Sequence, residues 1–348
     1  MFTPDYHNIV QAATNRQPTR MPLYEHFIAE EKMEEITGSR FAHLRNGTEP
    51  QKKEFFERYC DFYRSMGYDT VSFEGNIGEA LPGSGALGGH KPGVIRSRAD
   101  FDRYPWDRVE DWYFERFGPD FACLRACMPA GMKAVGGVGG GVFECVQDLV
   151  GYMDLCYIRE DDPELYAAIF QQVGEVLLRV WQRFLREYGD VFCVCRFGDD
   201  LGFKSATLLD PEDIRTLVIP WYAKIIEAVH QAGKPFLLHS CGCIFSVMED
   251  LMAAGIDAKH SNEDQIAPFM RWVEAYGDRI GNFGGFDTDA VCRLPREELQ
   301  AYIRKIVQSA WGHGGVAFGT GNSIPAYVPA EKYRIMVDTV RTLRGDFD

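Results

Sequence analysis

His239 and Cys241 are the two side chains of this sequence whose types and spacing most clearly suggest chemistry. They follow the apolar run 235–238 and are succeeded by Gly242, so we expect them at the outgoing end of a short buried strand. Residues at i and i+2 on extended backbone point the same way, about 6 to 7 Å apart, and one tetrahedral Zn²⁺ can span that gap. A buried structural histidine and cysteine would give the same pattern. We interpret the pair as half of a metal site.

Composition and charge narrow the class of protein. The chain has 348 residues, is 46% hydrophobic and has a net charge of -14. Since no basic stripe could follow a phosphate backbone, nucleic acid and anionic membrane are disfavoured as partners. No apolar stretch approaches the roughly 20 residues of a membrane span, and residues 1–7 lack the layout of a signal peptide. Ten cysteines, several inside apolar runs, favour a reducing compartment. We expect a cytoplasmic protein.

Short apolar runs alternate with amphipathic stretches of helical period along the chain. The predicted strands are 22–25, 70–74, 133–136, 191–196, 235–239, 258–260, 280–284 and 315–319. The clearest predicted helices are 163–188, 211–232, 244–254, 265–276, 296–311 and 330–343. Asp162 and Asp210 each precede a proline and indicate helix starts.

This alternation implies parallel strands with right-handed crossovers, and eight such units close most naturally as an α/β (β/α)₈ TIM barrel. An open doubly wound sheet is the alternative. We interpret residues 1–348 as a single domain, with residues 1–20 as a helical extension.

Polar side chains follow seven of the eight predicted strands, at the end where barrel enzymes carry their chemistry. They are Glu25 with His26, Glu74, Asp199 with Asp200, His239 with Cys241, His260 with Glu263, Asp287 and Asn322. Any single acid could instead cap a helix or be a solvated charge. Their common position predicts an active site at this rim.

Two further features bear on a substrate pocket. The glycine-rich run 136–141 does not match the dinucleotide-binding pattern, and no Lys-Ser/Thr pair follows it. It favours a flexible loop over the barrel mouth, with Glu144 facing the pocket. Aromatic residues near strand ends, among them Phe286, are candidates for an apolar substrate cavity, although at least half of them are expected in the core.

A set of short motifs is concentrated in the C-terminal half of the chain. They are His239-Ser-Cys-Gly242, Gly255-Ile-Asp257, Tyr276-Gly277, Gly284-Gly-Phe-Asp287, Gly319-Thr-Gly-Asn-Ser-Ile-Pro325 and Val328-Pro329. With them, the chain resembles the uroporphyrinogen decarboxylase superfamily over most of residues 20 to 345. The resemblance implies a (β/α)₈ barrel. That superfamily includes porphyrinogen decarboxylases and zinc-dependent methyltransferases that move methyl groups to or from corrinoid proteins.

The two branches of this superfamily need different residues. Its decarboxylases carry an arginine-rich segment early in the chain to hold substrate carboxylates, whereas the matching stretch here, 21–28, contains Glu25. The His-x-Cys pair resembles the methyltransferase branch, in which Zn²⁺ acts as a Lewis acid. The resemblance therefore implies a zinc-dependent methyltransferase, with a metal-independent decarboxylase as the alternative.

The resemblance leaves the metal coordination incomplete. Where the methyltransferases that act on coenzyme M have a second cysteine, this sequence has Asn322. Glu263 lies about where the related cobalamin-independent methionine synthase places its zinc-binding carboxylate, and His260 is its rival as third ligand. Cys243 is better explained by packing. Without the second thiolate the metal would be a stronger Lewis acid, suited to polarising the oxygen of a methyl ether.

The expected reaction moves a methyl group from a small methylated substrate, such as a methoxylated aromatic, to the Co(I) centre of a separate corrinoid protein. The cofactors are then Zn²⁺ and a partner-bound corrinoid, which becomes methylcobalamin-like. The catalytic candidates are Asp199 and Asp200, which would orient or protonate the leaving group, and Asn322, which would hydrogen-bond the substrate. The candidate substrate-binding residues are Glu25, Glu74, Glu144, Asp287 and Phe286.

Two other functions are compatible with the same residues. One is a metal-free decarboxylase in which Asp199 or Asp200 stabilises a protonated intermediate. The other is a non-catalytic barrel that binds a tetrapyrrole or a corrinoid partner. The sequence fixes neither the methyl donor nor the oligomeric state, and a homodimer is left open.

Overall fold

Seven parallel strands form one curled sheet in the computed structural model, which describes residues 2–89 and 91–347. They are β1 (Thr70–Asn76), β2 (Lys133–Gly139), β3 (Phe192–Gly198), β4 (Phe236–His239), β5 (Ala258–His260), β6 (Gly281–Phe286) and β7 (Val316–Thr320). Each strand pairs with the next one along the chain. This sequential order differs from the order reversal of a doubly wound sheet.

The first predicted strand, 22–25, is present as a short segment beside β7. Leu23 forms a parallel bridge with Phe318. The amide of Tyr24 donates to the Phe318 carbonyl at 2.8 Å, and the amide of Phe318 donates to the Pro22 carbonyl at 2.9 Å. With this eighth segment the chain has a TIM-barrel-like α/β fold, and the predicted fold class is confirmed.

Helices cover the outside of the sheet. They are α1 (His7–Ala13), α2 (Glu30–Thr37), α3 (Glu49–Met66), α4 (Arg98–Arg103), α5 (Val109–Cys127), α6 (Val142–Val150), α7 (Tyr152–Asp161), α8 (Pro163–Tyr188), α9 (Pro211–Asp213), α10 (Ile219–Gln231), α11 (Met248–Ala253), α12 (Phe269–Tyr276), α13 (Thr288–Arg293), α14 (Arg296–Ala310) and α15 (Ala330–Arg344). None of these helices combines the length and the apolar character needed to cross a membrane.

The predicted helix starts are present, with one interruption that the sequence pattern did not indicate. The Asp162 carboxylate accepts from the amide of Leu165 at 2.9 Å, and that of Asp210 accepts from the amide of Glu212 at 2.9 Å. Between α9 and α10 the backbone widens into a π turn, Ile214–Val218. Pro220 follows this turn and has no N–H to continue the regular ladder, which explains the wider turn.

The N-terminal extension closes one end of the barrel. Only His7–Ala13 is α-helical within residues 2–20. Ile9, Ala12 and Ala13 pack against a layer of buried barrel residues that comprises Tyr24, Val135, Val194, Leu237, Ala258, Phe283 and Ala317. Because α1 covers this amino-terminal end of the strands, any site inside the barrel is reached from the carboxyl ends.

The contact between α1 and the barrel depends on glycines in two strand-entry positions. A Cβ on Gly281 would lie 2.2 Å from the Ala12 carbonyl oxygen, and one on Gly315 would lie 2.1 Å from the same atom. Backbone atoms cannot rotate away as a side chain can, so even a methyl group at either position must displace α1.

We expect Gly315→Ala to lower the free energy of unfolding by about 1–3 kcal/mol, the usual cost of overpacking. Urea denaturation measures it. Gly189→Ala is the matched control, because its Cβ would meet only the flexible Lys234 side chain at 3.5 Å and Leu185 at 4.0 Å. Equal stability of the two variants would contradict the close contact described between α1 and the barrel.

Candidate metal centre

Parallel pairing brings the ends of three neighbouring strands to one point. In the sheet register Gly198 lies beside His239, and His239 lies beside His260. The ring of His26, which follows the first edge segment, stacks on the ring of His239 with centroids 3.8 Å apart. Three imidazoles predicted at the rim are therefore in contact at the carboxyl ends of the strands.

Asp200, His239 and Cys241 form a cluster of three groups that could bind a metal ion. His239 Nε2 lies 3.5 Å from Cys241 Sγ and 3.8 Å from Asp200 Oδ1. Zinc–ligand bonds of about 2.0–2.3 Å at tetrahedral angles put neighbouring ligand atoms about 3.3–3.8 Å apart. The backbone amide of Cys241 donates to Asp200 Oδ1 at 2.8 Å and holds that carboxylate in the cluster. The donor set and its spacing fit Zn²⁺.

A chain of hydrogen bonds sets which nitrogen of His239 carries the proton. His260 Nε2 lies 3.0 Å from the carbonyl oxygen of Thr320, which can only accept, so this nitrogen must be the donor. In neutral His260 the other nitrogen, Nδ1, is then an acceptor, and it lies 2.7 Å from His239 Nδ1. His239 Nδ1 is therefore protonated, and its Nε2 presents a lone pair to Cys241 and Asp200.

Burial keeps both imidazoles neutral. It lowers the pKa of His260 to about 3, and the pKa of His239 falls well below its ordinary value because of burial and the charges of nearby groups. Metal binding requires a neutral imidazole. Both ring nitrogens of His260 are engaged with protein groups, so its role is to orient His239.

The sulfur of Cys241 receives two further contacts. Ser261 Oγ lies 3.4 Å and Asn322 Nδ2 lies 3.3 Å from Cys241 Sγ, both as donors. Burial and the charge of Asp200 raise the pKa of this thiol. A bound cation would lower the pKa of this thiol and favour the thiolate.

Glu263, the predicted third ligand, does not join the Asp200–His239–Cys241 cluster. It lines a neighbouring groove of about 740 Å³ together with Asn322 and Asp287. Cys243 is also absent from the cluster, and its amide donates to the Phe203 carbonyl at 2.6 Å.

Asp199 is fully buried at the N-terminus of α6. Its Oδ2 accepts from the amide of Phe143 at 3.0 Å and from the hydroxyl of Tyr222 at 2.6 Å, and its Oδ1 accepts from the amide of Glu144 at 2.8 Å. Burial raises the pKa of this carboxyl to about 6. These contacts give Asp199 a structural task between α6 and α10, whereas its neighbour Asp200 faces the cluster.

Glu74 and Glu25 are both held by protein groups. Glu74 Oε2 accepts from Arg196 Nη2 at 2.7 Å, and the same guanidinium donates through Nη1 to Tyr24 and Ser72 inside the barrel. Glu25 is buried beside Thr320, whose amide donates to Oε1 at 3.0 Å. Burial raises the pKa of Glu25 to about 8.

The remaining predicted substrate-binding residues have different surroundings. Glu144 accepts from the amide of Asp200 at 3.3 Å and lines a smaller cavity of about 220 Å³. Asp287 caps α13 through the amide of Ala290 at 2.9 Å and borders the larger groove. Phe286 is fully buried and stacks on Phe318 in the core.

Sequence reasoning gave no role to Arg196, Lys259 or Ser261. For Arg196 and Lys259, the only signal in the sequence is that each is a charged residue inside an apolar run predicted as a strand. Ser261 has none, because its importance comes from a backbone conformation and a contact across 20 residues.

The profile of the uroporphyrinogen decarboxylase (URO-D) family matches residues 91–343. The chain belongs to the uroporphyrinogen decarboxylase family. The match spans β2 to β7 and so includes Asp200, His239 and Cys241, whereas His26 and Glu25 precede it. No match was found among curated proteins.

Among solved structures, a methyltransferase from Methanosarcina mazei has the same fold as this chain. The TM-score is 0.71 at 14% sequence identity, over 97% of this chain and 98% of that chain. An endoglucanase from an uncultured bacterium has a TM-score of 0.46 at 7% identity, over 97% of each chain. Protein SMc04130 from Sinorhizobium meliloti 1021 has a TM-score of 0.40 at 12% identity, over 91% of this chain and 98% of that one. At 14% identity, the likeness to the methyltransferase shows the fold alone.

We expect Asp199→Asn to lower the free energy of unfolding by about 1–3 kcal/mol, because the new amide group must face an N–H or O–H donor. Urea denaturation followed by circular dichroism measures the loss. Asp338→Asn, at an exposed position of α15, should change stability little. If both variants unfold like the unmodified protein, the hydrogen bonds assigned to Asp199 do not stabilise the fold.

Proposed function

We propose that this chain is a zinc-dependent methyltransferase. It takes a methyl group from a small methylated substrate, such as a methoxylated aromatic, and passes it to the Co(I) centre of a corrinoid carried by a partner protein. The observation that carries this proposal is the Asp200–His239–Cys241 cluster at the barrel mouth, with the lone pair of His239 Nε2 directed into it.

Asp200 is the third ligand that the geometry supports, in place of Glu263. His239 is neutral, so one thiolate from Cys241 and one carboxylate from Asp200 would together neutralise the two charges of a bound Zn²⁺. Three protein ligands would leave one position for substrate, as in catalytic zinc sites of other proteins. When bound, Zn²⁺ supplies Lewis acidity that polarises the heteroatom attached to the methyl group.

The chain's own residues hold this site in position. Thr320 and His260 keep the proton on His239 Nδ1, and the amide of Cys241 fixes the Asp200 carboxylate. Asn322 contacts Cys241 Sγ and also lines the larger groove. It therefore connects the metal position with the space for substrate, and we assign it to orienting the methyl donor.

The charges around the groove argue against a porphyrinogen decarboxylase. Glu263, Asp287 and Asp289 line it, with Lys204 as the cation among the lining residues that the structure describes. The guanidinium of Arg196 is already paired with Glu74. A substrate with several carboxylates would place unpaired anions here, at several kcal/mol each. A neutral methyl ether meets no such penalty.

We expect Asp200→Asn to weaken zinc binding by at least about 10-fold, since it removes an anionic ligand, while Glu263→Gln changes it little. Competition with a chromogenic chelator measures both affinities. A larger loss in Glu263→Gln would restore Glu263 as the third ligand.

The proposed reaction is tested by mixing the purified protein with a reduced corrinoid protein and a panel of methyl ethers and methylamines. We expect the Co(I) absorption to convert to that of methyl-Co(III). Cys241→Ser should lose most of this transfer because it removes the soft ligand, and Cys243→Ser, in the same turn but outside the cluster, should retain it. Release of CO₂ from uroporphyrinogen without methyl transfer from any donor would replace the proposal with the decarboxylase.

A further inference from the structure

Ser261, directly after β5, has a backbone conformation that serine rarely adopts. Its φ is +101°, and Asn15, with a φ of 53°, is the other non-glycine residue with positive φ among those the structure describes. Asparagine tolerates that region, but for serine a φ of +101° is strained. Such strain persists only where surrounding contacts enforce it, so the contacts of Ser261 indicate what the conformation achieves.

Neighbouring groups fix Ser261 from both sides. The His260 carbonyl accepts from the amide of Ser240 at 3.1 Å, and the amide of Asn262 donates to the Gly321 carbonyl at 2.9 Å. The carbonyl of Ser261 itself accepts a hydrogen bond from Lys259 Nζ. Its backbone is therefore tied to the loops after β4 and β7.

Lys259, whose Nζ donates to the Ser261 carbonyl, is a buried lysine. It is 3% exposed, and its Nζ lies 3.9 Å from the centre of the Trp272 ring. No carboxylate lies within 4 Å of that nitrogen in residues 2–89 and 91–347. The carbonyl of Ser261 and the ring face of Trp272 are its direct contacts, and the charge of Asp200 also favours the protonated amine.

The enforced conformation brings the hydroxyl of Ser261 to 3.4 Å from Cys241 Sγ. Sulfur is the most charge-donating ligand of the candidate metal centre, and hydrogen bonds to a ligand orient it and tune the metal. Ser261 is one of two donors to this sulfur, beside Asn322 Nδ2 at 3.3 Å.

We propose that Ser261 is a positioning residue for Cys241. Its hydroxyl, held in place by Lys259, orients the sulfur and reduces the charge that it donates to a bound metal. This inference rests on the proposed function for the metal, but the contact between Ser261 and Cys241 can be tested with or without one.

The metal arm of the test uses Co²⁺ in place of zinc in Ser261→Ala and Ser261→Gly. Both variants lose the hydroxyl that donates to the sulfur, so the thiolate-to-cobalt charge-transfer band should move to lower energy in both. Because the sulfur is then no longer oriented, zinc affinity should fall about 10-fold. Ser261→Gly should melt at a higher temperature than Ser261→Ala because glycine accepts positive φ. Lys259→Met should move the band in the same direction. Ser323→Ala, which removes a hydroxyl from the groove lining, is the control and should leave the band unchanged.

The metal-free arm measures the rate at which iodoacetamide alkylates Cys241 at fixed pH, by peptide mapping. Loss of the donor lowers the thiolate fraction more than it raises nucleophilicity, so both Ser261 variants should react about threefold more slowly. If the unmodified protein binds neither Co²⁺ nor Zn²⁺, the proposed function fails while this arm still decides the role of Ser261. Unchanged alkylation rates in both variants, together with an unchanged cobalt spectrum wherever cobalt binds, would overturn the inference.

Discussion

The hydrogen bond from His260 to the carbonyl of Thr320 controls the chemistry available at the barrel mouth. A carbonyl can only accept, so the proton on His260 Nε2 is fixed, and with it the proton on His239 Nδ1. A histidine free to change tautomer would direct a lone pair at Cys241 only part of the time. Here the direction is set by the backbone of β7, which the remainder of the barrel holds in register with β4 and β5.

This arrangement requires polar groups inside a barrel that is otherwise apolar, and each of them must be compensated. The partners of Arg196 are Glu74, Tyr24 and Ser72. Those of Lys259 are a backbone carbonyl and an aromatic ring. Such networks contribute little net stability, because pairing mainly offsets the cost of removing the charges from water. They hold Arg196 and Lys259 in defined positions beside the candidate metal centre.

Asp199 and Asp200 illustrate how adjacent residues of one type acquire different tasks. Successive side chains at the end of a strand point to opposite sides. Asp199 therefore meets the amides of α6 and the hydroxyl of Tyr222, and Asp200 meets the amide of Cys241. The sequence motif indicates two acids at the rim, but it does not indicate that helix α6 begins beside the first of them.

The sequence by itself determined the barrel fold and which polar residues lie at the carboxyl ends of its strands. Short apolar runs and helices of period 3.6 are local patterns, so seven strands and the edge segment at 22–25 lie where the sequence predicted them. The exception is β2, which continues to Gly139 inside the glycine-rich run predicted as a flexible loop. The pairing of His239 with Cys241 was also local, two residues apart. The partners of that pair, Asp200, His260, Ser261 and Asn322, come from other strands. Only the tertiary structure decided them, because distances of a few ångströms between strand ends depend on register, backbone conformation and side-chain packing, which sequence spacing does not encode.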